Sequence, residues 1–183
     1  MAVGAASGEY AQMDDGQPVP ALLTLRPAAG GDVEEIEYLA VINGMFAAED
    51  LSGFDEMLRG CLDGSLEGHR CVVAQDESGG LTGAAYFAPE PFADRVWNLY
   101  FLAVIPRLHG TGIGSALIGE VERTLRDAGD GIARVLIVET SSTQKYEGAR
   151  RFYLRSGYDR EALLREFYGP GDDKIVFWKS LRG

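Results

Sequence analysis

Apolar residues recur along this chain with two periods, and the periods mark out its elements. Val33, Ile36, Leu39 and Ala40 fall at helical spacing behind Asp32, which can cap them, and Asn43 and Gly44 close the segment. Leu51, Phe54, Met57, Leu58 and Cys61 predict a second helix, broken by glycines before Ser65. Three strand-like runs follow: CVVAQ, LTGAAYFAP and VWNLYFLAVIP, the last stopped by Pro106. Ile113, Ala116, Leu117, Val121 and Leu125 form one face of a helix from about Gly112 to Ala128. The run ARVLIVET is almost unbroken in its hydrophobicity, the pattern of a strand buried on both faces. Residues Lys145 to Ser156 predict a further helix ended by Gly157. Arg160–Phe167 and Lys174–Leu181 flank the turn-rich Gly169 to Asp173 and predict a hairpin. With LLTLRPA from Leu22 as the first strand, the order is strand, two helices, three strands, helix, strand, helix, two strands. That order predicts a mixed α/β domain around a single sheet.

Ahead of this domain, residues 1–20 are small, polar and unpatterned, and predict a flexible tail before one domain over 21–183. They lack the basic start and apolar block of a signal peptide. A length of 183 residues suits one domain with a real core. No run approaches the roughly 20 apolar residues of a membrane span. Seventeen Lys+Arg against twenty-eight Asp+Glu leave a net charge of −11, which argues against nucleic acid and suits a cationic substrate. Two cysteines, Cys61 and Cys71, with two histidines give no metal cage and fit a cytoplasmic protein.

The most informative stretch is VIPRLHGTGIGSAL, Val104 to Leu117, where a strand passes through glycines into a helix. Gly110, Gly112 and Gly114 let backbone approach a ligand, and the free N–H groups of the helix start make an anion site suited to phosphate. Arg107 and His109 stand where side chains could add to it. A P-loop is excluded, because no lysine precedes Ser115. A dinucleotide fingerprint is also a poor match, since Ser115 occupies the place of the third glycine. A purely structural tight turn remains the plain alternative.

Arg107-x-x-Gly110-x-Gly112 resembles the Q/R-x-x-G-x-G/A motif of the GNAT family of N-acetyltransferases, and Ala149 to Tyr158, ARRFYLRSGY, resembles that family's second block. The similarity runs from about Leu22 to Leu181. It implies a mostly antiparallel mixed sheet splayed between strands 4 and 5 and flanked by helices, with acetyl-CoA in the gap as cosubstrate. Its partners are then acetyl-CoA and an amine acceptor, either a small molecule or a peptide or protein amine, with a homodimer open and neither nucleic acid nor membrane involved.

The resemblance implies that Leu102, Ala103 and Val104 offer backbone groups to the pantetheine arm and the thioester. Arg107 and His109, Gly110, Thr111, Gly112, Ile113, Gly114 and Ser115 would hold the pyrophosphate. Tyr146 stands where many members have a coenzyme-contacting asparagine. Tyr153 is expected to touch the coenzyme and to return a proton to the leaving thiolate; its other reading is a core aromatic like Phe152. Several relatives carry a glutamate base on the fourth strand, where this chain has Asn98, which cannot accept a proton. Glu139 is the alternative base, or simply the residue that reaches solvent at a strand end; Tyr100 with a water relay is also open. No cysteine lies near either motif, so direct attack of the amine is expected rather than an acyl-enzyme. The competing class is an acyl-CoA-binding module without catalysis. Glu34, Glu35 and Glu37 read as a solvated helix face, and Phe46, Phe54 and Met57 as core or as an acceptor pocket.

Overall fold

The computed structural model describes residues 10–12, 18–20, 23–129 and 131–182. The tail expected over 1–20 lies mostly outside the described residues; within it Tyr10–Gln12 and Pro18–Pro20 pair antiparallel as a short ribbon.

The remainder is one sheet with helices on both faces. Its strands are β1 (Thr24–Pro27), β2 (Arg70–Gln75), β3 (Leu81–Pro89), β4 (Val96–Val104), β5 (Val135–Ser141), β6 (Asp159–Gly169) and β7 (Asp172–Ser180). The helices are α1 (Val33–Ile42), α2 (Ser52–Leu62), α3 (Ile113–Asp127) and α4 (Glu147–Arg155). Strand order is β1-β2-β3-β4-β5-β7-β6, antiparallel except where β4 lies beside β5. The predicted element order and hairpin are therefore observed. The last helix starts two residues later than the sequence suggests, because Gln144–Tyr146 form a separate 3-10 turn. Asp32 does not cap α1 with its side chain; its carboxylate accepts from the Arg26 guanidinium at 2.7 and 2.9 Å and from the Ala29 N–H at 2.7 Å.

Two apolar clusters sandwich the sheet. Ile113, Leu117, Val121 and Leu125 of α3 and Tyr153 of α4 pack on Val72, Phe87, Leu99, Leu136 and Phe177. The α3 helix comes very close at Gly83 of β3, where an added Cβ would stand 2.9 Å from Leu117 Cδ1 and 2.8 Å from the Ala103 carbonyl oxygen. On the other face, Ile36 and Leu39 of α1 and Phe54 and Leu58 of α2 cover Val73, Tyr86, Phe101 and Ala103. These helices cover residues of β2, β3 and β4. The same face of β5 is left half-buried at Ile137 and Glu139, so this strand is not enclosed on both sides as its hydrophobic run suggests.

Candidate active site

The two central strands part at a β-bulge. Tyr86 of β3 opposes Phe101 and Phe87 opposes Leu99, so Tyr100 is an extra residue on β4. Such an insertion bends its strand and ends pairing nearby. The parallel ladder with β5 accordingly runs only from Val96–Val135 to Leu99–Val138. Beyond it β4 stays with β3 as far as Val104, while β5 stays with β7 as far as Ser141, and a wedge opens between them.

Each arm of the wedge is pinned. The Val104 carbonyl accepts from Asn43 Nδ2 at 3.1 Å and from His109 Nε2 at 2.9 Å. On the opposite arm, Arg150 of α4 donates to the carbonyls of Ser141 and Thr143 at 2.7 and 2.8 Å, and Ser141 Oγ donates to Asp172 at 2.6 Å. The Ile105 N–H donates to Thr82, which fixes the phase of the β3–β4 ladder. In that phase the backbone of Ala103 faces β3, not the wedge as the resemblance implies, and its side chain sits in the core. Leu102, together with the N–H of Val104, faces the gap.

At the wide end of the wedge lies the glycine turn. Gly110 and Gly112 have φ of +81° and +90°, a region open mainly to glycine. Gly112 precedes α3 with no side-chain cap, so the first N–H groups of this 15-residue helix, from Ile113 through Ser115, lack intrahelical partners. Gly114 plays a different part: it is helical, and an added Cβ would stand 3.5 Å from the Phe152 ring of α4. The Thr111 hydroxyl closes the turn on the Leu108 carbonyl at 2.7 Å, and Ile113 is fully buried. Arg107 and Ser115 are exposed, and Tyr146 is half-buried beneath Lys145, whose ammonium lies 5.3 Å from its ring centre. His109 is committed through Nε2, which leaves one ring nitrogen for any anion.

Tyr153 is buried, with Phe152, which faces Gly114, and Tyr158 and Phe177 around its ring. Burial pushes its phenol far above the ordinary tyrosine range, which keeps it a proton carrier at neutral pH. It is a residue of the α3-side core.

The open face of the wedge carries the remaining polar groups. Glu139 of β5 accepts from Lys174 Nζ at 2.8 Å, so one of its oxygens is already engaged. Across the wedge, Tyr100 stands on the bulge, and its hydroxyl donates to Glu90 Oε1 at 2.9 Å. Burial, Glu90 and then Glu139 push the Tyr100 phenol up to about 12. Tyr168 from the β6–β7 hairpin is likewise pushed up to about 12, by burial and then by Glu139. Asn98 donates to the same Glu90 oxygen at 2.8 Å, while its own Oδ1 is buried without a partner. Sequence reasoning missed Glu90; the available signal was its place between Pro89 and Pro91, a stiffened loop directly after β3. Phe46, expected as core or pocket lining, is partly exposed and stacks on buried Phe54 at 5.0 Å. Glu35 is not merely solvated, since it accepts from the Leu81 N–H at 3.0 Å. Among the described residues there is no group of His, Cys, Asp and Glu able to hold a metal ion, and no helix long and apolar enough to cross a membrane.

Comparison with known proteins agrees with this geometry. An uncharacterised N-acetyltransferase of Methanocaldococcus jannaschii is 37% identical over 83 residues, 45% of this chain and 51% of its own. The chain thus spans about half the length of that curated relative. A crystal structure of a GNAT-family protein from Desulfovibrio desulfuricans superposes with a TM-score of 0.79 at 31% identity, covering 88% of this chain and 100% of its own. An aminoglycoside 6'-N-acetyltransferase solved with coenzyme A shares the fold at a TM-score of 0.71 and 16% identity, over 87% of this chain and 98% of its own. The profile of the acetyltransferase (GNAT) family matches residues 31–158. With a splayed sheet, a glycine-capped helix and a family match across most of its length, the chain belongs to the GNAT family of acetyltransferases.

Proposed function

We propose that the chain is an N-acetyltransferase that moves an acetyl group from acetyl-CoA to a primary amine by direct attack in a ternary complex, in the cytoplasm. The carrying observation is the wedge between β4 and β5 opening onto the uncapped start of α3. Gly110 and Gly112, with the N–H groups of Ile113 to Ser115, make a cradle fit for a pyrophosphate. Leu102 and the Val104 N–H offer hydrogen bonds along the gap to the pantetheine arm, and a free backbone N–H there can stabilise negative charge on the thioester oxygen. When bound, acetyl-CoA supplies the activated acetyl group. On this reading Tyr153, still protonated at neutral pH, hands its proton to the departing sulfur. Both cysteines have thiols pushed up by burial, which fits attack without an acyl-enzyme.

One observation favours a binding module without catalysis: Asn98 cannot take a proton, and Glu139 is tied to Lys174. Thermal denaturation with acetyl-CoA, NAD and ATP separately, followed by thiol release with a panel of amines, decides both points. A rise in Tm with acetyl-CoA, together with amine-dependent thiol release, supports the transferase. A rise without release supports the module. No rise with acetyl-CoA overturns both.

A further inference from the structure

We propose that Glu90 is the base on the acceptor side, taking the proton of the attacking nitrogen through the hydroxyl of Tyr100 while Asn98 holds its carboxylate in place. The proposal rests on the N-acetyltransferase reading above and names the group that reading lacks.

Three observations converge at the root of the wedge. Tyr100 is the bulge residue, half-exposed, one position beyond the last β4–β5 pair. Its hydroxyl donates to Glu90 Oε1 at 2.9 Å, so its own oxygen remains an acceptor for an incoming N–H. Asn98 is 1% exposed and spends its amide N–H on that same Glu90 oxygen at 2.8 Å. Trp97 and Leu99 point into the α3 side, so strand alternation sets Asn98 on the acceptor face with Tyr100. Its Oδ1 is left buried without a partner, an arrangement that costs about 1–3 kcal/mol in an ordinary core. A donor brought by the acceptor amine, or a water accompanying it, would meet that need.

The groups around the relay are compatible with it. On β3, the Tyr86 ring lies 6.3 Å from that of Tyr100 and its hydroxyl is engaged with His69. On β5, Glu139 faces Tyr100 but is bonded to Lys174 of β7. Tyr100 therefore stands between two carboxylates, which attract an amine arriving as a cation and, after burial, help to push the phenol up to about 12. Burial of the nitrogen in the wedge then favours its neutral form, and the ammonium's first proton passes along Tyr100 to Glu90 and out to solvent before attack.

The step balances. The nitrogen lone pair forms the C–N bond to the acetyl carbon and the C–S bond breaks. The nitrogen's proton passes to the Tyr100 oxygen, and the tyrosine's own proton passes to Glu90. The sulfur takes its proton from Tyr153, and solvent afterwards removes the proton from Glu90 and restores that of Tyr153.

The test compares the parent with Glu90→Gln and Tyr100→Phe, using butylamine, spermidine, an aminoglycoside and a short peptide with a free amino terminus. With the best of these amines, kcat/KM of the parent should be level around neutral pH. Both variants should fall by about 10²-fold there, then climb by about tenfold per pH unit toward the parent as the amine arrives already neutral. A merely structural loss would not recover with pH, and the acetyl-CoA thermal shift should match the parent. A second readout needs no turnover: with ring-labelled tyrosine, the Tyr100 resonance, identified by its loss in Tyr100→Phe, should titrate at lower pH in Glu90→Gln than in the parent. Absence of thiol release by the parent from all four amines overturns the transferase reading. Turnover by the parent with the same pH profile in both variants, or a Tyr100 titration indifferent to Glu90, overturns the relay alone.

Discussion

Gly112, Gly114 and Gly119 look alike in sequence, yet the cap of α3 and its interior are expected to give opposite responses to alanine. Gly112 has φ of +90°, where a Cβ costs about 1–2 kcal/mol. For a domain of this size each kcal/mol moves Tm by about 2–4 °C, so Gly112→Ala should lower Tm by roughly 2–8 °C. Gly114 is helical, and its added Cβ would make an ordinary 3.5 Å contact with Phe152; Gly119 faces open space. Alanine at either should raise stability by about 0.5–1 kcal/mol through helix propensity. Binding separates the sites again. At about 100 times Kd, acetyl-CoA stabilises the parent by about 2.7 kcal/mol, and Gly119→Ala should keep that gain in full. Gly112→Ala should lose most of it if the turn holds the diphosphate as proposed, because a methyl group there would crowd its approach to the backbone. Differential scanning fluorimetry of the three variants with and without acetyl-CoA measures every term. A Gly112→Ala protein as stable as the parent would refute the left-handed cap. One destabilised as expected but with the full acetyl-CoA shift would place the phosphates elsewhere.

Tyr153→Phe keeps the ring among Phe152, Tyr158 and Phe177 and should leave Tm and the acetyl-CoA shift near those of the parent, while kcat falls by about 10²-fold; an unchanged kcat makes Tyr153 a packing residue alone. Lys179→Ala removes one of the three donors on the buried Glu122 carboxylate, leaving Tyr158 and Arg126, and should cost about 1.5–3 kcal/mol by urea denaturation. The Arg26 guanidinium and then the Ala29 N–H hold Asp32 below the usual carboxylate range. Its contribution is therefore full above about pH 4 and disappears as the pH falls through its lowered folded pKa, so Asp32→Asn should lower Tm at pH 7 and lessen the further loss on acidification, measured by thermal melts across pH.

The succession of elements was legible because each carried its own period and its own stop. Gly44 and Gly157 do end α1 and α4 with positive φ, and the turn after Gly169 does close a hairpin. What periodicity could not show is the bulge. In VWNLYFLAV the inward side switches at Tyr100: Trp97 and Leu99 face α3, whereas Phe101 and Ala103 face α1. Both sheet faces of β4 are apolar, so a phase break leaves no trace in the pattern, and no glycine or proline marks it. The half-open β5 was illegible for a related reason. Hydrophobic strings report what a strand could bury, and the reach of α1 and α2 decides what it does bury.

The site divides along the same line. Backbone geometry was readable where it needs glycine, at the positive φ of Gly110 and Gly112, and unreadable where any residue would serve, as at Ala103, whose backbone direction depends on ladder phase. Side-chain chemistry was readable at the position but not in the partner. Asn98 in place of a carboxylate looked like a lost base, since an amide takes no proton. The structure shows that the amide instead grips a carboxylate from the following loop. Stability alone does not recommend this choice: a buried asparagine with an orphaned oxygen costs more than valine would at the same half-apolar position. A residue that is poor for the core and well placed for its neighbour is what a site demands of a strand: the carboxylate that Asn98 holds through one hydrogen bond also accepts from Tyr100, the bulge residue one position beyond the last β4–β5 pair.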